Sequence, residues 1–472
     1  MGGLFNSINT GATSLQVSQK QIEIAGSNIA NVDTEGYSRQ YAEKTTYPSI
    51  NQGGFFIGQG VTITDVSREY NTFVSKQLTD KSVDFGFENS QESSFSELER
   101  IFSIGDDNLS SQMDTFFDSW QELSTDPTNT VLRDIVIQQG DSLSVKFNGI
   151  ADELDGAQEN ISAEITSKVE DTNSKLEQIA DLNDRIFTIE SNGQSANTAR
   201  DERDVLLQDL AETIGAESYE LSSGMMNVQL PTGLPLVNGN TASSLEALET
   251  GGQLDIKLKT ASTTRDLDTN SLGGEFSGLL YMRDEFIPSL EGQLDQMAYS
   301  VINNVNDLHK NGAALDGSTD NVFFVEHDNP NAPADEEWLG AARNMAVAID
   351  DPNKIAAAEA PSSGSVLIGD NSNALAIADL GYGLSIDGTD SFDSFYGKMV
   401  SEVGIASNQN QLNLGGAEDA LVQVQNLRDS YDGVSLDDEM IDLMQFQRNY
   451  QSAAQYLSIV DDLMGELINI KN

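Results

Sequence analysis

The last stretch of the sequence constrains the fold most. From Ser435 to about Ile470, the residues Leu436, Leu443, Tyr450, Leu457 and Met464 recur once per heptad. A second row, Phe446, Ala453, Val460 and Leu467, follows each of the last four by three residues. From Leu443 onward the apolar steps alternate three and four, which is the spacing of a coiled-coil seam and narrower than a general amphipathic face. Ser435 is a preferred N-cap, and Asp437, Asp438 and Glu439 give the first turn the charge sign that a helix N-terminus favours. Gly433 interrupts whatever helix precedes it. The sequence brings no later element to cover the seam, so a partner helix is expected from elsewhere.

The start of the chain supplies a candidate. Residues 4–29 read as one helix in which Leu4, Gly11, Ser18 and Ala25 alternate with Ile8, Leu15, Ile22 and Ile29 at steps of four and three. One row is small and the other mostly large and aliphatic, a pairing that suits close approach of a second helix. Lys20 and Glu23 are the only charged side chains before Asp33, so this helix is built for a packed environment. A pair of this kind is only marginally ordered alone. The termini are therefore expected to be mobile in a free monomer and helical in an assembly.

That low charge stands out against the rest. The chain has 472 residues, 76 acidic against 25 basic, for a formal net charge of −51. Such a surface repels nucleic acid and anionic lipid, which excludes both as partners. There is no cysteine, hence no disulfide framework and no thiol chemistry. No apolar run reaches the length of a transmembrane helix. The N-terminus lacks the basic and apolar regions of a cleavable secretory signal, so export, if it occurs, is expected by another route.

Between the terminal helices the pattern changes several times. Residues 41–66 alternate weakly around Gly53-Gly54 and Gly58-Gln59-Gly60, predicting a short β excursion, with helix resuming at Ser67. Helical periodicity runs to about Phe102, restarts near Leu109 and turns at Asp126-Pro127. From Asn129 to about Glu190 it is nearly unbroken, with Gly140, Gly149 and Gly156 as weak points. After a turn at Ser191–Gln194, the charges Arg200, Asp201, Glu202 and Arg203 read as a solvated helix face. The period changes to two at Ala216, predicting a β-rich insertion to about residue 271. Helix returns from Glu275 to Lys310, residues 312–370 are mixed, and helices near Asn371 and from Asp390 to Tyr431 complete the middle. The expected fold is mainly α with a β-rich insertion. Residues 1–45 with 432–472 form a terminal coiled coil. Residues 46–215 with 272–312 and 371–431 form an elongated helical bundle, and 216–271 with 313–370 form an outer insertion.

Catalytic signatures are absent. His309 and His327 are the two histidines, too few for a clustered metal site, and no phosphate-binding glycine loop or nucleophile elbow occurs. Asp316–Asn321 carries oxygen ligands but fails the calcium-loop pattern and reads as a turn. Trp120 and Trp338 read as packing residues. No enzyme, cofactor or metal is expected.

One local stretch is more specific. The segment SNIANVDTEGYSRQ, with Asn28, Asn31, Gly36, Tyr37 and Arg39, resembles the N-terminal motif of bacterial flagellar axial proteins. Its Gly-Tyr-Ser-Arg-Gln form is similar to the hook-associated protein 1 family, whereas hook and rod proteins more often carry Phe where Tyr37 stands. GQGVTITDVSREYNTFVSKQL, FFDSWQELSTDPTN and the residues from Asp432 to the end are similar to further stretches of that family. The resemblance implies an extracellular structural subunit at the hook–filament junction, exported by the flagellar type III route. Its terminal helices would pair in the axial tube, through the seam residues named above. It also implies as partners copies of the same chain, hook protein, the second junction protein (hook-associated protein 3) and an export chaperone. The alternatives are another axial protein, of hook or rod type, or a secreted adhesin that binds through its outer insertion.

Overall fold

The computed structural model describes residues 2–52, 54–102, 108–250, 253–260, 262–267, 269–330, 333, 336–360, 367, 369–386 and 388–471. Gly53 and parts of the predicted 216–271 and 313–370 insertions lie outside the described residues. Along the chain come α1 (Gly2–Ala30), β1 (Gln40–Thr46), β2 (Ile50–Gln52), β3 (Phe55–Ile57), β4 (Val61–Arg68), α2 (Thr72–Ile101), α3 (Leu109–Thr125), α4 (Thr130–Glu190) and α5 (Asn197–Ile214). Next are β5 (Glu217–Glu220), β6 (Met226–Gln229), β7 (Pro235–Asn238), β8 (Thr241–Ala242), β9 (Ser244–Thr250), β10 (Gln253–Lys259) and β11 (Thr264–Leu267). After them α6 (Gly274–Tyr281) leads through a π-helical turn at Met282–Phe286 into α7 (Ile287–Asn311). The chain finishes with β12 (Gly312–Ala313), α8 (Ala341–Asn344), β13 (Ala358–Glu359), α9 (Ser372–Asp379), α10 (Phe392–Asp432) and α11 (Leu436–Lys471). The protein is mainly helical, with small antiparallel sheets inserted and its terminal helices packed together.

The chain groups into two compact units. The first comprises residues 1–87, 167–277 and 415–472, and the second comprises 88–166 and 278–414. In the first unit β1 and β4 form an antiparallel ribbon from Gln40↔Arg68 to Thr46↔Val61, with a bulge at Glu43/Lys44. Strand β4 therefore occupies Ser67 and Arg68, where the sequence pattern predicts helix. Pairing with β1 holds those residues extended, and Asn71 delays the helix by capping it, its Oδ1 accepting from the Phe73 and Val74 amides at 3.1 and 3.3 Å. Between β1 and β4 the hairpin β2–β3 stands as a two-stranded sheet of its own. The β-rich stretch after α5 forms a four-stranded sheet in the order β5-β6-β7-β8 and a three-stranded sheet in the order β11-β10-β9.

Helix α4 runs unbroken through all three predicted weak points. Gly140 is there for space, because a Cβ would lie 2.7 Å from the Phe323 ring. Gly149 and Gly156 face nothing within 4 Å. The second unit is built on an aromatic core. Trp120 of α3 is fully buried and meets Phe116, Phe323 and His309 at ring separations of 6.4, 5.5 and 6.0 Å. Phe323 and Phe324 come from the stretch expected in an outer insertion, and here they are core residues of this unit. Their amides are held by Asn306 Oδ1, at 2.9 Å each.

His309 is buried and neutral. Its Nδ1–H donates to the Asn321 carbonyl at 2.7 Å, and its Nε2 accepts from the Ala356 amide at 2.9 Å. Burial pushes its pKa down to about 4. The Asp316–Asn321 stretch is a turn, with Gly317 at φ 85° and Asp316 Oδ1 accepting from the Ser318 amide at 2.8 Å.

Candidate assembly surface and the hub that anchors it

Helices α1 and α11 pack against each other, and α1 also lies against β1 and β4. The small row of α1 makes the approach possible. A Cβ on Gly11 would come within 2.8 Å of the Leu457 side chain and 3.0 Å of Tyr456, so only glycine allows this spacing. Gly11, Ser18 and Ala25 are buried together with Val17, Gln21 and Ile24, while Leu4, Ile8, Leu15, Ile22 and Ile29 are half-buried. The covered face is thus turned by about one residue from the one that hydrophobicity alone marks. Strands β1 and β4 share α1 with α11, and together they set which side is closed.

On α11, Ala453 and Val460 are buried and Leu443, Phe446, Leu457 and Met464 half-buried, whereas Tyr450 and Leu467 stay exposed. Outside the seam Tyr456, Ile459 and Leu463, again at steps of three and four, form a second apolar row open to solvent. A helix pair with apolar rows on its uncovered flanks has unused capacity for association.

The segment from Asn28 to Gln40 is the hub that fixes this pair to the rest of the unit. Asn28 is 1% exposed, so its amide must be satisfied internally. Its Nδ2 donates to the Gln40 carbonyl at 2.9 Å, and its Oδ1 accepts from the Gln40 amide at 3.0 Å and from the Tyr37 hydroxyl at 2.9 Å. Asn31 caps the end of α1, its Nδ2 donating to the Ser27 carbonyl at 2.9 Å. Gly36 has φ 74°, and a Cβ there would lie 2.2 Å from Val205 of α5. Both the left-handed backbone and the packing against α5 require glycine.

Arg39 then ties the hub to the other end of the chain. Its Nε contacts Glu439 at 2.6 Å, its Nη2 contacts Asp442 at 3.0 Å, and its amide donates to the Asp432 carbonyl at 2.8 Å. Burial works against the guanidinium charge, but Glu439 and Asp442 outweigh it and hold Arg39 above its ordinary pKa. Glu439 is only 2% exposed, so this first-turn carboxylate of α11 does more than complement the helix dipole.

The charges of α5 complete the hub, and here the sequence expectation of a solvated face holds for the exposed Glu202 and is corrected for Arg200, Asp201 and Arg203. Asp201 receives Arg68 Nη1 at 2.6 Å and the Ser38 amide at 3.3 Å, and Asp204 receives Arg68 Nη2 at 2.7 Å. Arg203 is fully buried, donating to Asn183 Oδ1 at 3.0 Å and to the Gly224 carbonyl at 2.9 Å. Arg200 pairs with Glu190 at 2.6 Å and Glu220 at 2.7 Å. The β ribbon and the strands after α5 fold over that side of α5 and bury it. Asp204 and Asp432 escaped the sequence reading, and Asp201 and Glu439 were read only as a solvated-face charge and a first-turn charge, because their partners are distant in the chain.

Among the described residues no group of three or more His, Asp or Glu side chains is placed to hold a metal ion, and no helix is long and apolar enough to cross a membrane. The arrangement supports association.

Comparison with known proteins agrees in three separate parts of the chain. Residues 95–324 match the flagellar hook-associated protein FlgK helical domain. Residues 8–37 match the flagella basal body rod protein family, and 430–470 match the flagellar basal body rod FlgEFG protein C-terminal family. Flagellar hook-associated protein 1 of Bacillus subtilis is 27% identical, with 99% of each chain covered. Its namesake in Escherichia coli is 25% identical over 98% of this chain and 99% of that one. In fold, the chain is similar to the flagellar hook junction protein FlgK from Burkholderia pseudomallei, with a TM-score of 0.67 and 15% identity over 77% of this chain and all of the other. The rod-type families cover only the terminal helices and the hub, and the middle matches the hook-associated helical domain, so the chain belongs to the flagellar hook-associated protein 1 family.

Proposed function

We propose that this chain is a structural subunit of the bacterial flagellum that joins hook to filament outside the cell and assembles through α1 and α11. The observation that carries this reading is the terminal pair itself. Its closed face is anchored by the Asn28–Arg39 hub, while the half-buried row Ile8, Leu15, Ile22 and Ile29 and the open row Tyr456, Ile459 and Leu463 remain for neighbouring copies. Completing the burial of one such side chain contributes about 1 kcal/mol. Repeated along two helices and around a ring of copies, this is enough to hold an assembly of acidic subunits together.

Flagellar axial proteins are the partners. In finer detail, hook protein lies on one side and the second junction protein, hook-associated protein 3, on the other. An export chaperone covers α11 before assembly. The terminal part, 1–45 with 432–472, is the assembling domain, and the seam residues Leu443, Phe446, Tyr450, Leu457, Val460, Met464 and Leu467 with Leu4, Ile8, Leu15, Ile22 and Ile29 are its working surface.

Complementation tests the reading. Cells lacking this chain should release filament protein into the medium instead of retaining filaments, and the full-length chain should restore attachment. A chain lacking residues 436–472 should fail to do so while the second unit keeps its fold. Retained filaments in the absence of the chain would contradict the proposal.

A further inference from the structure

The hairpin β2–β3 is the least covered apolar feature of the first unit. Phe55 and Phe56 are neighbours on one strand, so their side chains point to opposite faces, yet they are 75% and 76% exposed. No third strand joins the hairpin among the described residues. From Thr45 through Thr64 no residue is charged, although the whole chain carries −51. Contacts between copies of so acidic a protein cost like-charge repulsion wherever charged surfaces meet. An uncharged apolar projection is the part of the molecule that a second copy can approach without that cost. The hairpin is also continuous with the assembling helices, because Gly60 at its base sits against Thr10 and Thr13 of α1.

The same unit has an open cleft of about 1260 Å³ lined on its apolar side by Tyr70, Val83, Ala216, Tyr219, Met226 and Pro231. One wall is β5, the exposed edge strand of its sheet. Such an edge can accept a further strand, and the cleft can take aromatic rings. In a single copy the rings are exposed and the cleft is open, so the occupant comes from another molecule.

We propose that the β2–β3 hairpin of one copy inserts Phe55 and Phe56 into the cleft beside β5 of a neighbouring copy. Knob and cleft are different surfaces, so the contact is head-to-tail and propagates from copy to copy. The inference rests on the reading of the chain as an assembling axial subunit, to which it adds a second contact outside the terminal helices.

The absence of native cysteine makes the test clean. Flagella are isolated from cells producing Phe56→Cys, Ser218→Cys or both together, and are treated with a short bismaleimide. The paired variant should give a ladder of three or more linked copies, and each single variant dimers at most. A Phe55→Ser/Phe56→Ser chain should keep its helical circular dichroism but fall at least several-fold in its incorporation into flagella. Normal incorporation of that variant, or no ladder although the paired variant is present in the flagella, would overturn the contact and leave the axial reading standing. A ladder confined to dimers would point to a symmetric hairpin–hairpin contact and equally overturn it. Absence of the unmodified chain from flagella would overturn the axial reading and the contact with it.

Discussion

A single buried amide, Asn28, fixes how the chain leaves α1 for β1. It makes three hydrogen bonds to Gln40 and Tyr37 from a site closed to water. Replacing it by alanine strands both the Gln40 amide and its carbonyl, so Asn28→Ala should cost about 2–3 kcal/mol. Tyr37→Phe removes one bond at a half-buried hydroxyl and should cost about 1 kcal/mol. The shift in urea midpoint checks both, and the order of the two variants is the point: a larger loss from Tyr37→Phe would place the hub elsewhere. His309 makes a second prediction at this scale. Its folded pKa of about 4 lies below the ordinary value of 6.5, so the unfolded chain takes up a proton first as pH falls. The His309 contribution to stability should fall by about 2 kcal/mol between pH 6.5 and 5, while Glu291, which burial pushes up to about 7, works in the opposite direction over the same window. Urea unfolding followed through Trp120 fluorescence reads it. His309→Gln should be weaker at pH 6.5 than the parent chain, and the difference between the two should shrink by about 2 kcal/mol by pH 5.

What the sequence disclosed also divides by scale. Asn28, Gly36, Tyr37 and Arg39 stand together in one stretch and are recognisable as a motif. Asp201 and Glu439, which hold the same hub, look like ordinary surface charges, because nothing local marks a partner that far along the chain. Among elements, the heptad steps disclosed both terminal helices, since period is a local property. Which face of α1 closes was not legible from hydrophobicity, because β1 and β4 share that helix with α11, and Val17 and Ile24 are buried along with the small row. Ser67 illustrates a tertiary override: its local pattern continues into helix, yet pairing with Tyr41 keeps it in β4.

The glycines of α4 give the element-scale prediction. Gly149→Ala and Gly156→Ala meet open space and should each stabilise the second unit by about 0.5–1 kcal/mol through helix propensity. Gly140→Ala drives a methyl group toward Phe323 and should destabilise it. Thermal unfolding of the three variants separates packing from propensity, and a common sign across all three would show that the Phe323 contact carries no weight.

For the whole molecule, acidity and assembly pull in opposite directions. A net charge of −51 favours dispersed copies, and the surfaces with low charge are α1, the apolar rows of α11 and the β2–β3 hairpin. On the proposed function, association is confined to places where the repulsion is least, and the terminal pair is an assembly surface that a single copy leaves unfinished. Electron cryomicroscopy of the hook–filament junction in isolated flagella tests this most directly. The account predicts α1 and α11 as the innermost layer, paired as described here, with Ile8, Leu15, Ile22 and Tyr456, Ile459, Leu463 against neighbouring copies. Terminal helices on the outside of the structure, or those rows facing water in the assembled state, would contradict it.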